Sequence, residues 1–134
     1  MKIKLAQIKA IEEPLAKLAD KELDIRISYR LGKFIKVIGQ ELQELETNRI
    51  KLIKKYGKPV DNKAGQQEYQ IEEENKNKFI DDFNKLLQEE INVDFSPISL
   101  EELKDVQLTP VDVMRLEGIV IVDNKKKEKE VENN

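Results

Sequence analysis

A long apolar stripe at helical spacing constrains the fold more than any other feature of the sequence. Its members are separated by alternating steps of four and three residues: Leu31, Ile35, Ile38, Leu42, Leu45, Arg49, Leu52 and Tyr56. This spacing keeps one side of an α-helix facing a partner. A helix over this stretch would be about 40 Å long, at about 1.5 Å per residue. The stripe predicts a helix that either forms the centre of the domain or reaches another chain.

Both ends of this helix carry end signals. Ser28 is a suitable N-cap, so the helix is predicted to begin at Tyr29, after a connector with β character over residues 23–27. The C-terminal end is indicated by Lys54 and Lys55, which suit the negative end of the helix dipole. Gly57 then stands at the usual position for a glycine after a helix, and Pro59 lies just beyond it.

Three residues within the predicted helix depart from an ideal pattern. Gly32 and Gly39 should each cost about 1 kcal/mol relative to Ala. They are either tolerated or mark a place where another helix crosses closely. Arg49 occupies a position otherwise taken by Leu or Ile. A polar residue at such a position can determine which helix packs against the stripe and in which register. Alternatively, the aliphatic stem of Arg49 packs on the stripe while its guanidinium reaches water.

Two further helices are predicted. Ile8, Ile11, Leu15 and Leu18 lie three and four residues apart and indicate a helix over residues 6–20. Pro14 falls inside it, either in the first turn of a shorter helix or as an irregularity in a longer one, and the fit of Ile8 and Ile11 favours the longer helix. Apolar residues at similar spacing predict a third helix near residues 73–90: Phe79, Ile80, Phe83, Leu86 and Leu87.

The remaining segments predict short elements. Residues near Ile3, Tyr69 and Val93 suggest a small two- or three-stranded β-sheet. Ser99 with Glu102 forms a capping-box pattern, and Thr109 with a following proline indicates a last short helix. We therefore expect a mainly α fold of the α+β kind: a helical hairpin with one long heptad-patterned helix, a third helix and a small sheet. One domain over residues 1–122 would precede a disordered charged tail, residues 123–134.

Composition restricts the possible functions. The chain has no Cys, which excludes a disulfide framework, a thiolate zinc site and a Cys nucleophile, and no His, which removes the commonest general base and metal ligand. The acidic clusters of residues 72–74, 81–82 and 89–90 are expected on a solvated helix face. We therefore expect no enzyme activity, cofactor or metal site. The sequence contains neither a signal-peptide pattern nor an apolar run of about 18–20 residues, so we expect a soluble, cytosolic-type protein.

Charge is divided unevenly along the chain. Residues 1–60 hold 14 Lys and Arg against 8 Asp and Glu, whereas residues 61–134 hold 10 against 19. Arg26, Arg30 and Lys33 share one helix face in the basic half. Either the acidic half neutralises this face, or it is left open for an acidic partner. A sequence pI of about 5.2 and the lack of a recognition motif make nucleic acid an unlikely ligand.

The far end of the long helix is the other candidate surface. A first helix of about 15 residues spans only about 22 Å and cannot cover the whole stripe. The far half must then meet the third helix or a second copy of the chain, and we predict a homo-oligomer through this end. The candidate interaction residues are Leu45, Arg49, Leu52, Tyr56, Arg26, Arg30 and Lys33.

Three segments follow one another along the chain: LDIRISYRLGKFIKVIGQELQELETNRIKLIKKYG, then EYQI, then FIDDFNKLLQEEINVDFSPISLEELKDVQLTPVDVMRLEG. Together they resemble a family of small uncharacterised proteins of phages and prophages of Gram-positive bacteria. The resemblance covers residues 1–122 and implies a viral origin, with the host cytoplasm or a virion as the location, but no site residues. It leads us to expect a non-catalytic protein-interaction module, structural or assembly-related. The alternative is a small inhibitor of a host defence or nucleic-acid-processing complex.

Overall fold

A computed structural model describes residues 1–123. The elements, in chain order, are β1 (Lys2–Lys4), α1 (Leu5–Ala19), α2 (Ile25–Tyr56), β2 (Gly57–Asp61), β3 (Gln67–Ile71), α3 (Glu73–Leu87), β4 (Glu90–Asn92), β5 (Ile98–Ser99), a 3₁₀ turn (Leu100–Leu103), α4 (Pro110–Leu116) and β6 (Ile121–Val122). The predicted mainly α fold with a long helix and a little β structure is confirmed. The predicted tail lies, from residue 124 onward, outside the described residues.

The long helix α2 begins one turn earlier than predicted. Asp24 is the N-cap, and its carboxylate accepts a hydrogen bond of 3.0 Å from the backbone N–H of Arg26. Ser28 lies inside the helix, where its hydroxyl donates to the carbonyl of Leu23. The predicted connector with β character is therefore wrong for residues 25–27, which belong to α2, whereas residues 23 and 24 do connect the two helices. Asp24 offers the same kind of capping oxygen as Ser28, and the extra turn buries Ile27 in the core.

The C-terminal end of α2 falls where the sequence predicted, at Tyr56. Gly57, however, is extended (φ −100°, ψ 165°) and not left-handed, and it begins β2 directly. A Cβ placed on Gly57 would lie 2.6 Å from the carbonyl oxygen of Ile53 and 3.2 Å from that of Gln70. Gly57 is thus suited to this position by the close approach of two backbone segments.

The core lies between α1, one side of α2 and the segments that follow β4. Pro14 is buried within a continuous α1, as the longer-helix interpretation predicted. Phe34 of α2 stacks on Phe95 with ring centroids 4.3 Å apart. The buried hydrophobic side chains form one cluster: Ile3, Leu5, Ile8, Ile11, Leu15, Leu18, Ile27, Leu31, Phe34, Ile38, Leu45, Val93, Phe95, Ile98, Leu103, Leu116, Val120 and Ile121.

The two glycines inside α2 face open space. A Cβ built on Gly32 or Gly39 would have no neighbour within 4 Å. The interpretation that another helix crosses closely at these positions is therefore wrong within this chain, and the alternative, that the glycines are tolerated, fits the structure.

The β structure consists of three two-stranded sheets within residues 1–123. β1 pairs antiparallel with β4, with Ile3 opposite Ile91, whereas the Tyr69 segment pairs with β2 in a separate hairpin. The predicted neighbourhoods around Ile3 and Tyr69 thus do not share a sheet. β5 pairs with β6 in parallel.

The caps predicted near the C-terminal part are confirmed. Ser99 and Glu102 form the capping box of the 3₁₀ turn. The hydroxyl of Thr109 accepts from the backbone N–H of Asp112 at the start of α4. Among the described residues, no helix combines the length and the apolarity that crossing a bilayer requires.

Candidate interaction face

The N-terminal half of α2 presents an exposed surface that is basic and partly apolar. Residues 25–40 contain four Lys or Arg side chains and no carboxylate. Residues three or four positions apart in a helix share a face. We define the basic face by five residues that are all exposed: Ile25, Arg26, Tyr29, Lys33 and Lys36. Ile25 and Tyr29 are 78% and 65% exposed, so they place apolar surface directly beside these cations.

The opposite side of the same helix segment fixes this orientation. Ile27, Leu31, Phe34 and Ile38 are buried in the core. Because α2 is anchored through these residues, the side chains on its other side point to solvent. The basic face is therefore presented by a rigid element.

The cations of the basic face are left largely without acidic partners. Among the described residues, neither Arg26, Lys33 nor Lys36 forms an ion pair. The ammonium of Lys33 lies 4.7 Å from the centroid of the Tyr29 ring, in a cation–π contact. The face thus combines free positive charge with an aromatic ring.

Arg30, the third predicted basic residue, has a different role. Its guanidinium donates a hydrogen bond of 2.8 Å to the carbonyl of Ser96 and lies 3.9 Å from the carboxylate of Glu102. Arg30 therefore ties α2 to the segment around β5. The structure brings Arg26 and Lys33 together on the open face and engages Arg30 within the fold.

The acidic half of the chain neutralises the basic half elsewhere. Ion pairs between the two halves join α1 to α4, α2 to the β5 region, α2 to α3 and β2 to the residue before α3: Lys17–Asp112, Arg30–Glu102, Lys55–Asp82 and Lys58–Glu72. The compensation interpretation therefore holds for part of the surface, and the basic face is the part to which it does not extend.

The far end of the apolar stripe is covered by α3. Leu45 is 5% exposed, and Leu52 is half-buried. The hydroxyl of Tyr56 donates a 2.5 Å hydrogen bond to the carboxylate of Asp82, and this bond raises the pKa of Tyr56. The amide of Asn75 donates to the carbonyl of Tyr56. Much of the stripe's far half is thus occupied within one chain.

Arg49 forms an ion pair with Glu46 of the same helix. Its guanidinium binds both carboxylate oxygens of Glu46, at 2.9 and 2.6 Å, and this hydrogen bonding lowers the pKa of Glu46. Arg49 is half-buried, which agrees with a packed stem and a surface head group. The homo-oligomer through this end stays a prediction, and sedimentation equilibrium would test it by a mass above 15.6 kDa.

Sequence reasoning missed Ile25 and Tyr29 as surface features. It placed Ile25 in a β connector and Tyr29 at the first turn, so their shared face could not be seen. Taking Asp24 as the N-cap would have put them four residues apart on one helix. In the described part of the chain, no three or more acidic side chains come together in a way that could hold a metal ion.

Comparisons with known proteins identify no relative: no protein-family model, curated protein or solved structure matches this chain. Function is therefore inferred from the surface itself.

Proposed function

We propose that this protein is a non-catalytic protein-interaction module of a phage or prophage, with a role in particle structure or assembly. The observation that carries the proposal is the basic face, where Ile25 and Tyr29 are exposed beside cations that form no ion pair within residues 1–123. Tyr and Arg are enriched among the side chains that dominate protein interfaces. The viral origin is supported by the resemblance of residues 1–122 to phage proteins.

The charge of the face supports a different protein as partner over a second copy. A two-fold symmetric contact brings the same patch of both subunits together. Arg26, Lys33 and Lys36 would then face their own counterparts, and like charges repel. A partner with acidic side chains meets the same face with attraction.

The chemical equipment of the chain also supports a non-catalytic role. Cys and His are missing from the sequence, and these residues carry much of nucleophilic and general acid–base catalysis. Among the acidic residues of α3, Asp82 pairs with groups of α2, Glu73 pairs with Lys76 of its own helix, and Glu74 and Asp81 are exposed.

Affinity capture from infected or lysogenic cells tests the proposal. We expect the wild type to retain a specific protein, and the double variant Arg26→Glu/Lys33→Glu to lose it. A matched control, Lys63→Glu/Lys78→Glu, changes the net charge by the same amount. Its two positions are exposed and lie in the turn of the β2–β3 hairpin and on α3. The control should retain the partner.

Three results would count against the proposal. Equal loss in both double variants would indicate a general charge effect, and equal retention in all three proteins would exclude the basic face. Recovery of a host defence or nucleic-acid-processing enzyme in place of particle proteins would replace the assembly role by the inhibitor alternative.

A further inference from the structure

A single line of exposed side chains continues from the basic face along the whole of α2. We call it the outer stripe, and its members alternate steps of three and four residues: Arg26, Tyr29, Lys33, Lys36, Gln40, Gln43, Thr47, Ile50 and Lys54. Every member is exposed and none is a carboxylate. The stripe lies opposite the side of α2 that packs on the core.

We propose that the outer stripe is the docking surface for an acidic amphipathic helix of another protein. This inference rests on the proposed function and adds the chemistry and shape of the partner. Residues separated by three and four positions on one helix meet residues at the same spacing on a second helix, because ridges of one pack into grooves of the other. The outer stripe offers this spacing over many turns.

The charges of the stripe select the partner's side chains. Arg26 and Lys33 are one heptad apart, which is about 10 Å along the helix axis. Carboxylates one heptad apart on a partner helix would meet both cations. Toward the middle the stripe becomes uncharged, and a shallow surface depression there is lined by Gln40, Gln43, Glu44, Thr47, Asn48 and Lys51. The partner's acidic residues should therefore lie opposite the first three turns.

The apolar members favour a helix over other acidic partners. Ile25 beside the stripe and Ile50 within it are 78% and 41% exposed. Each would stabilise a complex if an apolar side chain of the partner helix covered it. A nucleic acid would contact mainly the few free cations, on a protein whose net charge is −3. An extended strand would need unpaired backbone groups, which the interior of a helix does not offer.

Titration by two-dimensional ¹H–¹⁵N NMR tests the inference with the full chain. The probe is a helical peptide of about 21 residues, or three heptads, with Glu on one face and Leu beside it. At low salt we expect amide shift changes confined to the outer stripe and its neighbours. The Arg26→Glu/Lys33→Glu variant should bind at least about tenfold more weakly, and so should the wild type in about 0.5 M salt. The Lys63→Glu/Lys78→Glu variant should bind like the wild type.

Three control ligands make the outcome decisive. A peptide with Lys in place of Glu, a peptide interrupted by proline and a single-stranded oligonucleotide should each bind more weakly than the probe. Equal binding of the proline peptide, tighter binding of the oligonucleotide, or no localised shifts with the probe would overturn the inference. If capture from cells still depended on Arg26 and Lys33, the interaction module would stand and only the acidic helix would be lost. If capture from cells did not depend on Arg26 and Lys33, both the acidic-helix partner and the proposed interaction module would be wrong.

Discussion

Replacing glycine by alanine should have opposite effects at Gly39, inside α2, and at Gly57, the first residue after it. At Gly39 a new Cβ meets no atom within 4 Å, so the helix gains the propensity of Ala, about 1 kcal/mol. At Gly57 the new Cβ would lie 2.6 Å from the carbonyl oxygen of Ile53. This oxygen belongs to backbone in the last turn of α2 and cannot turn away as a side chain can. Relief of the overlap should cost about 1–3 kcal/mol, the range for overpacked sites.

Urea denaturation followed by circular dichroism at 222 nm measures both effects. We expect Gly39→Ala to raise the unfolding midpoint and Gly57→Ala to lower it, with unchanged slopes. Gly32→Ala is the matched control, since its surroundings are equally open, and it should behave like Gly39→Ala. Destabilisation by Gly39→Ala would mean that another segment packs on that face of α2. A neutral Gly57→Ala would show that the helix end and the hairpin can separate at little cost.

Other variants test the core, the acidic residues and the chain end. Leu45→Ala should lower the free energy of unfolding in urea by about 2–5 kcal/mol, and Leu52→Ala by less, because Leu45 is buried and Leu52 only half-buried. Burial raises the pKa of Asp112, but hydrogen bonds with Thr109 and Lys17 outweigh it and hold this pKa below its usual value. The carboxylate of Asp112 therefore stabilises the fold above the ordinary carboxyl pKa, and this contribution disappears as the pH falls through the lowered pKa. The decrease in the free energy of unfolding caused by Asp112→Asn should therefore be smaller in acid, as unfolding measured across pH would show. Removal of residues 124–134 deletes one apolar residue and should change the melting temperature, measured by calorimetry, by no more than about two degrees.

Local signals in the sequence were sufficient for much of the fold. The end of α2 at Tyr56, the capping box of Ser99 and the start of α4 after Thr109 each depend on residues within a few positions of one another. The start of α2 was misplaced because Asp24 and Ser28 can both cap a helix. Burial of Ile27, which decides between them, depends on distant parts of the chain.

Long-range contacts were less accessible. The sequence identified Gly57 only as a residue typical of a helix end, whereas its actual constraint is the nearby backbone of Ile53 and of Gln70 in β3. The sequence also could not tell which part of the chain would cover the far half of the stripe. The hydrogen bond from Tyr56 to Asp82 joins residues of different helices.

The candidate site was predicted in part. Arg26 and Lys33 were identified from their shared helix face, which is a local property. Arg30 could not be separated from them, because its partner Ser96 is 66 positions away in the chain. Pairing of acidic residues with cations elsewhere was expected in general terms, but only the folded arrangement locates the face that stays open.

The direct passage from α2 into β2 gives the protein a fixed internal length. No residue separates Tyr56 from the strand that begins at Gly57, so the hairpin has no hinge at its base on that side. A partner seated near Tyr29 would find the hairpin about 40 Å away along the axis of one continuous helix. The continuous helix α2 therefore holds the basic face and the β2–β3 hairpin at one set separation.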